Sequence, residues 1–466
     1  MGRTIGCQRQ AEMAGRHRKM SGHKFLFIAS DYKPRPGGRA DYIDNLVRGL
    51  IAIGSATKVL AVLQSHHQEQ LAFLERYEDW VIPFQVAYDQ RPQNWLGNKL
   101  ISLLEIARCL SPVAKLGLDK TRFFQASADS LARLDRILAR EEPTFVVFGH
   151  LDMRLYPLAL CLRQRRVPYG IIVHGREVPR CRARTNEFVR RRSVIKGATW
   201  IVANSRDTRS LVEVWGIPQS RISIVHPPIA EEAILLSKKM GVLPRNRGQL
   251  RLVTLCRLVR GKGIDIVLRA LSLLSAAGIP FEYAIGGDGD ERAFLEALAA
   301  ELQLRDRVTF VGYINGAQKW QLLQNSDVFV MPSRVESGWV ESFGIAFIEA
   351  AAFGLPAVGS RTGGIPDAIV DGVTGMLVEA ESPEDLAEAL TFLYQNSEKR
   401  IEMGKAGRER ARRQFSPASV ATDFQEKLLG CEAESLKSGA RSTATPNKLK
   451  RRPQRFRSKS KTIWLI

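Results

Sequence analysis

Hydrophobic residues in this chain come in short, nearly unbroken runs separated by longer amphipathic stretches. Residues 24–30 (KFLFIAS) are apolar without alternation and end in turn-forming residues, the pattern of a strand buried on both faces. Residues 34–38 (PRPGG) read as a loop, 42–53 as a helix and 57–63 as the next strand. Further apolar runs fall at 145–148, 170–173 and 200–203, with helical periodicity between them. The rhythm then repeats. Residues 250–255 predict a strand, 264–277 a helix, 281–285 a strand and 292–302 a helix, followed by strands at 308–311, 328–331 and 357–359. Strand alternating with helix predicts parallel sheets covered on both faces.

Two such series in 466 residues predict two doubly wound α/β domains in tandem. The boundary is expected in the mixed polar segment 231–249, which carries Gly241 and Pro244. The expected organisation is a basic extension (1–22), a first domain (23–235) and a second domain (236–412). A helix (413–431) is expected to pack back toward the first domain, and a disordered tail (432–466) follows. In tandem domains of this kind, the strand C-terminal ends face a central cleft, and a ligand belongs there.

Composition narrows the class. The apolar fraction is 45%, as in globular proteins, and no run of about 18 apolar residues predicts a transmembrane helix. The first residues are basic and lack an apolar core, so no secretory leader is expected, and Met20 is an alternative start. Six scattered cysteines without a C-x-x-C pair fit reduced thiols in the cytoplasm. His66-His67 is the only close histidine pair, so no metal site is expected. The net charge of +21 is uneven, with roughly two-thirds of the excess in the two tails. A second basic stretch, 154–196, lies inside the folded part.

Five motifs carry candidate chemistry. Glu341 and Glu349 stand eight positions apart around the Phe343-Gly344 turn that opens an apolar helix starting near Ile345. One carboxylate can reach a sugar while the other reaches a ribose, and the helix start favours an anion. Two solvated helix-start acids are the competing reading. Arg257 and Lys262 follow a strand end, where a planar fork and a point charge can bind a diphosphate; a solvated basic turn competes. Gly286-Gly287-Asp288-Gly289-Asp290 allows close backbone approach to a ligand, or is an ordinary tight turn. Gly37-Gly38 offers the same two readings. His174, at the end of the 171–173 strand, is either a cleft residue or a hydrogen-bonded structural histidine.

Together these residues resemble the retaining glycosyltransferases of family 4, which have the GT-B architecture of two facing Rossmann-like domains. The resemblance covers about residues 24–430. It is strongest at Met331-Pro332-Ser333-Arg334, Val340-Glu341-Ser342-Phe343-Gly344, Glu349-Ala350 and Asp371-Gly372-Val373-Thr374-Gly375, and is similar to mannosyltransferase-like members. It implies that Arg257 and Lys262 bind the donor diphosphate, that Glu341 touches the transferred sugar and that Glu349 accepts from the ribose hydroxyls. Amides of Phe343, Gly344 and Ile345 would face sugar and phosphate. His174 would lie near the reacting centre, and Gly38 would let the first domain close on the donor. It also implies no metal and no cofactor, the nucleotide-sugar being a co-substrate. Where the family has Pro-Asn-Gly-Val-Asp between domains, this chain has His226-Pro227-Pro228-Ile229-Ala230. A second Glu-Ser-Gly reading starts at Glu336, but Gly344 stands eight positions on.

The expected acceptor is a glycan or lipid-linked hydroxyl in cell-envelope polysaccharide, lipopolysaccharide or glycolipid synthesis. Trp95, Leu96, Leu100, Ile101, Leu103 and Leu104, flanked by Lys99, Arg108, Lys115 and Lys120, form either a core-facing helix or one that lies on an anionic membrane. The expected place is therefore the cytoplasm, with peripheral membrane contact as an open reading. Other readings are a nucleotide-sugar epimerase, a phosphorylase-like enzyme, or nonspecific nucleic-acid binding through the tails; no specific nucleic acid is expected.

Overall fold

The computed structural model describes residues 23–33, 37–64, 73–74, 77–86, 128–152, 155–178, 186–239, 248–336 and 338–437. Residues 1–22, the amphipathic segment at 95–120 and residues 438–466 lie outside the described residues, as does part of the basic 154–196 stretch; the first six residues of the expected tail, 432–437, instead continue the last helix of the chain.

The first domain runs β1 (Lys24–Ala29), α1 (Gly38–Ala52), β2 (Ala56–Gln64), β3 (Val81–Val86), α2 (Ala128–Glu141), β4 (Phe145–Phe148), α3 (Tyr156–Gln164), β5 (Tyr169–Val173), α4 (Asn186–Gly197), β6 (Trp200–Ala203), α5 (Arg206–Val214) and β7 (Ile222–Ile224). Its strands are all parallel, in the order β3-β2-β1-β4-β5-β6-β7. The unbroken apolar runs have a direct cause. In β1, Leu26 and Ile28 join the core on one face of the sheet, while Phe25 and Phe27 join the core on the other. Successive side chains of a strand point to opposite faces, and here both faces are dry.

The second domain runs α6 (Glu231–Lys239), β8 (Leu250–Leu255), α7 (Ile264–Ala276), β9 (Phe281–Gly286), α8 (Arg292–Glu301), β10 (Val308–Gly312), α9 (Gly316–Gln324), β11 (Val328–Met331), α10 (Ile345–Ala352), β12 (Ala357–Ser360), β13 (Gly375–Val378), α11 (Pro383–Gln395) and α12 (Ser397–Gln414). The parallel order is β10-β9-β8-β11-β12-β13. Leu250 and Leu252 of β8 face one core, and Val253 and Leu255 the other.

Part of the segment read as a polar linker is helical. Glu231 and Glu232 sit in the first turn of α6, and Lys238 and Lys239 in its last, each complementing the helix dipole. Ala233 and Ile234 pack in the second domain's core. The chain crosses back after α12, and α13 (Pro417–Lys437) lies on α1 of the first domain. Gly49 of α1 makes this possible, because a Cβ there would overlap the carbonyl oxygen of Pro417. Phe424 of α13 lies 4.9 Å from the Trp200 ring, 5.9 Å from Phe27 and 6.0 Å from Phe25. The two crossings are bonded side by side, Ile229 N donating to Phe415 O at 2.9 Å.

Each sheet reverses its winding once, between β1 and β4 and between β8 and β11. Doubly wound sheets bind ligands at that reversal, outside the strand C-terminal ends. Among the described residues no helix is long and apolar enough to cross a membrane.

Candidate active site

Loops at the ends of β8, β9, β11 and β12 build one wall of the cleft. They are bonded to each other: Leu258 N donates to Asp288 O (2.9 Å), Arg334 N to Gly261 O (3.0 Å) and Gly364 N to Glu341 O (2.9 Å). Gly287 has φ +140°, and a Cβ there would overlap Cys256 O, so the β9 loop seats directly on the β8 loop. Arg257 is exposed just beyond β8; its carbonyl accepts from Val259 N at 2.9 Å, while its side chain makes no hydrogen bond or ion pair among the described residues.

Both candidate carboxylates are buried, and each meets one lysine. Lys262 closes the short 3-10 turn Arg260–Lys262 and donates to Glu341 Oε2. Its Nζ also stands 5.1 Å from the Trp339 ring centre, a cation–π contact. Glu349 lies about one turn inside α10, where Lys319 of α9 donates to its Oε1 at 2.6 Å. Burial pushes the Glu349 carboxyl above the usual range, and the Lys319 ammonium counters it. Gly344 forms the N-cap of α10 with φ +86°, where a Cβ would run into the Phe347 ring. No side chain caps this helix start and no acid sits in its first turn, so the end suits an anionic ligand. Glu336 pairs instead with Arg260 at 3.5 Å.

The facing wall comes from the first domain. A Cβ added to Gly38 would stand 3.6 Å from Ile345 Cδ1, and one added to Gly175 would stand 3.3 Å from Ser342 Cβ. Gly37, with φ +148°, precedes α1 beside that contact. Asn204 Nδ2 donates to Ser342 Oγ at 3.2 Å. The His174 ring contacts Gly149 O through Nε2 at 2.8 Å. A carbonyl only accepts, so Nε2 carries the proton and Nδ1 keeps its lone pair. Burial lowers the His174 pKa to about 4, with Glu177 opposing the shift, so the ring is neutral at neutral pH.

That shift makes a pH prediction. Between about pH 6.5 and 4 the unfolded chain binds a proton at this ring and the folded chain does not, so stability falls as pH drops through that window, by on the order of 3 kcal/mol in total. Denaturant unfolding at a series of pH values should show a shallower acid loss in His174→Gln. An unchanged slope refutes the assignment.

At the hinge, the Phe343 side chain turns away from the cleft and packs 5.3 Å from the His226 ring and 5.8 Å from Phe415. Asp367 accepts from Arg206 N at 2.5 Å and pairs with the Arg206 side chain, clipping the second domain to the start of α5. Burial opposes its charge, but His226 and Arg206 hold its carboxyl below the usual range. The sequence reading missed Arg206–Asp367, Asn204–Ser342 and Lys319–Glu349, all pairs distant in sequence with no local motif.

Asp31, His150 and Asp152 bring a potential ligand atom each within 4.8 Å of one another at the β1/β4 reversal. Neighbouring side chains already engage several of these atoms. Ser30 Oγ donates to Asp152 Oδ2 at 2.6 Å, so His150 Nε2, 2.8 Å from Ser30 Oγ, must carry a proton, and Arg39 pairs with Asp31.

Family descriptions match both walls of the cleft. Glycosyltransferase Family 4 matches residues 36–233, and Glycosyl transferases group 1 matches residues 237–410. The chain belongs to glycosyltransferase family 4. This family-4 chain is 31% identical over 229 residues to a D-inositol 3-phosphate glycosyltransferase of Pseudarthrobacter chlorophenolicus, covering 47% of this chain and 53% of that one. It is 30% identical over 202 residues to the amylovoran biosynthesis glycosyltransferase AmsK of Erwinia amylovora, covering 43% of this chain and 49% of the relative. The chain thus spans about half the length of these two relatives. A GDP-mannose-dependent alpha-(1-6)-phosphatidylinositol monomannoside mannosyltransferase of Mycobacterium tuberculosis is 28% identical over 311 residues, 65% of this chain and 80% of that one. Among solved structures, Anabaena HepE in complex with UDP superposes with a TM-score of 0.63 at 17% identity, covering 87% of this chain and 99% of that one. WaaG, a glycosyltransferase involved in lipopolysaccharide biosynthesis, gives 0.55 at 16% identity, covering 86% and 98%. At such identities the likeness is one of fold, and the fold of this family-4 chain is GT-B.

Proposed function

We propose that this protein transfers a sugar from a nucleotide-diphosphate donor to a hydroxyl of a glycan or lipid-linked acceptor, with retention of anomeric configuration. The observation that carries the reading is the pair of buried carboxylates, Glu341 and Glu349, on either side of an uncapped helix start, with Lys262 beside the first. Such a wall recognises a polyhydroxyl sugar, a diphosphate and a ribose in that order. As the donor bond breaks, negative charge grows on the departing diphosphate, and Lys262, Arg257 and the start of α10 stabilise it where it develops. These cations supply charge that a metal ion would otherwise provide. A double displacement needs a nucleophile placed at the anomeric carbon. Cys256, beside Lys262, is a poor one, since burial pushes its thiol up to about 12. Front-face attack fits better: the acceptor oxygen bonds to the anomeric carbon, the carbon–oxygen bond to phosphate breaks, and the acceptor proton passes to a phosphate oxygen.

The HepE structure holds UDP and the mycobacterial relative is GDP-mannose-dependent, so uridine and guanosine diphospho-sugars are the first donors to try. At about 100 times its dissociation constant, a bound nucleotide adds ~2.7 kcal/mol of stability. One of UDP, GDP or ADP should then raise the melting temperature by about 5 °C or more. The matching sugar nucleotide should release free nucleotide only as sugar appears on acceptor. No shift with any of the three, and no transfer, overturns the reading. Epimerisation with no glycan product would favour the other GT-B chemistry. Work in the cytoplasm, with peripheral contact at an anionic membrane face, completes the proposal.

A further inference from the structure

Lys319 belongs to no motif, yet its place is built. It lies on α9 with Nζ 2.6 Å from Glu349 Oε1 and 4.1 Å from the Trp320 ring centre. Trp320 is itself fixed, donating from Nε1 to Glu232 Oε2 at 3.0 Å and stacking on Phe353 at 5.6 Å. The lysine therefore joins α9 to α10 at the carboxylate. Glu349 Oε2 takes no hydrogen bond among the described residues.

We propose that Lys319 is a positioning residue for the donor's ribose: by holding Oε1 it keeps Glu349 a carboxylate and leaves Oε2 to accept from the vicinal hydroxyls. This rests on the nucleotide-sugar reading above. The other charges acting on Glu349 are Lys33 and Asp41, across the cleft in the first domain. They pair with each other at 2.5 Å, so their effects largely cancel. On α6, Glu232 is engaged by Trp320, and α12 meets α10 through Gly407, against Ala351. Lys319 is therefore the cation that decides the state of Glu349. Without it, a carboxylate already pushed up by burial takes a proton at still higher pH and loses its strength as an acceptor.

The test uses the full chain, Lys319→Met and Lys319→Arg, each titrated calorimetrically with UDP, GDP and ADP and with their 2′,3′-dideoxy forms from about pH 5.5 to 8.5. Wild type should prefer the ribose form by about 10–100-fold, the worth of hydrogen bonds to a charged group. Lys319→Met should lose about tenfold of that preference at the acid end and regain it as pH rises. Lys319→Arg should restore it, and dideoxy binding should be alike in all three proteins. An unchanged preference in Lys319→Met at every pH overturns the proposal. So does a wild type that binds nucleotide without favouring the ribose form. A wild type that binds none of the six overturns the nucleotide-sugar reading itself, and the proposal with it.

Discussion

Lys262→Ala is expected to lower sugar transfer by about 10³-fold while both domains stay folded. The turn that carries Lys262 is held by backbone bonds, Lys262 N to Val259 O at 2.9 Å and Gly263 N to Arg260 O at 3.1 Å, which the substitution leaves intact. Two effects add. The departing diphosphate loses a cation aimed at its growing charge. Glu341, only 8% exposed, also loses its partner and becomes an uncompensated carboxylate beside an anionic ligand. Lys262→Ala/Glu341→Gln should therefore recover donor affinity relative to the single variant but not turnover. Initial rates of nucleotide release with acceptor present, set beside melting curves, separate the two effects. Near-normal turnover in Lys262→Ala removes the lysine from the mechanism.

Phe424→Ala should destabilise the first domain by about 3–5 kcal/mol. The ring is fully buried and lies against Phe25, Phe27 and Trp200, so its removal leaves a cavity walled by aromatic side chains. Because Lys262, Glu341 and Glu349 all belong to the second domain, nucleotide binding should survive. The expected melt splits in two, with nucleotide raising only the upper transition. A single transition within about 1 °C of wild type would place α13 outside the cooperative unit.

What could be read from the sequence depended on how local the cause was. β1 and β8 were legible because burial on both faces writes an unbroken apolar run. β3 was not: its run, VIPFQV, contains Pro83, which cannot donate to a ladder and is tolerated because β3 is an edge strand. β7 is three residues long, too short to show any period. α6 was read as linker because its charges lie outward and its two core residues are few. The same holds at the site. Glu341, Gly344 and Glu349 announce themselves by spacing around one turn. Lys319 lies 30 residues from its partner, and Arg206 lies 161 from Asp367, so only the folded chain brings them together.

The return of α13 to the first domain sets an order for synthesis. The face formed by Phe25, Phe27 and Trp200 is complete when the first domain leaves the ribosome, but its cover arrives roughly 200 residues later, a delay of about 10–40 s at ordinary rates of translation. During that interval a nascent chain carries a bare aromatic surface. Yield in cells should therefore depend on translation speed and chaperone supply more steeply than the finished protein's stability would indicate.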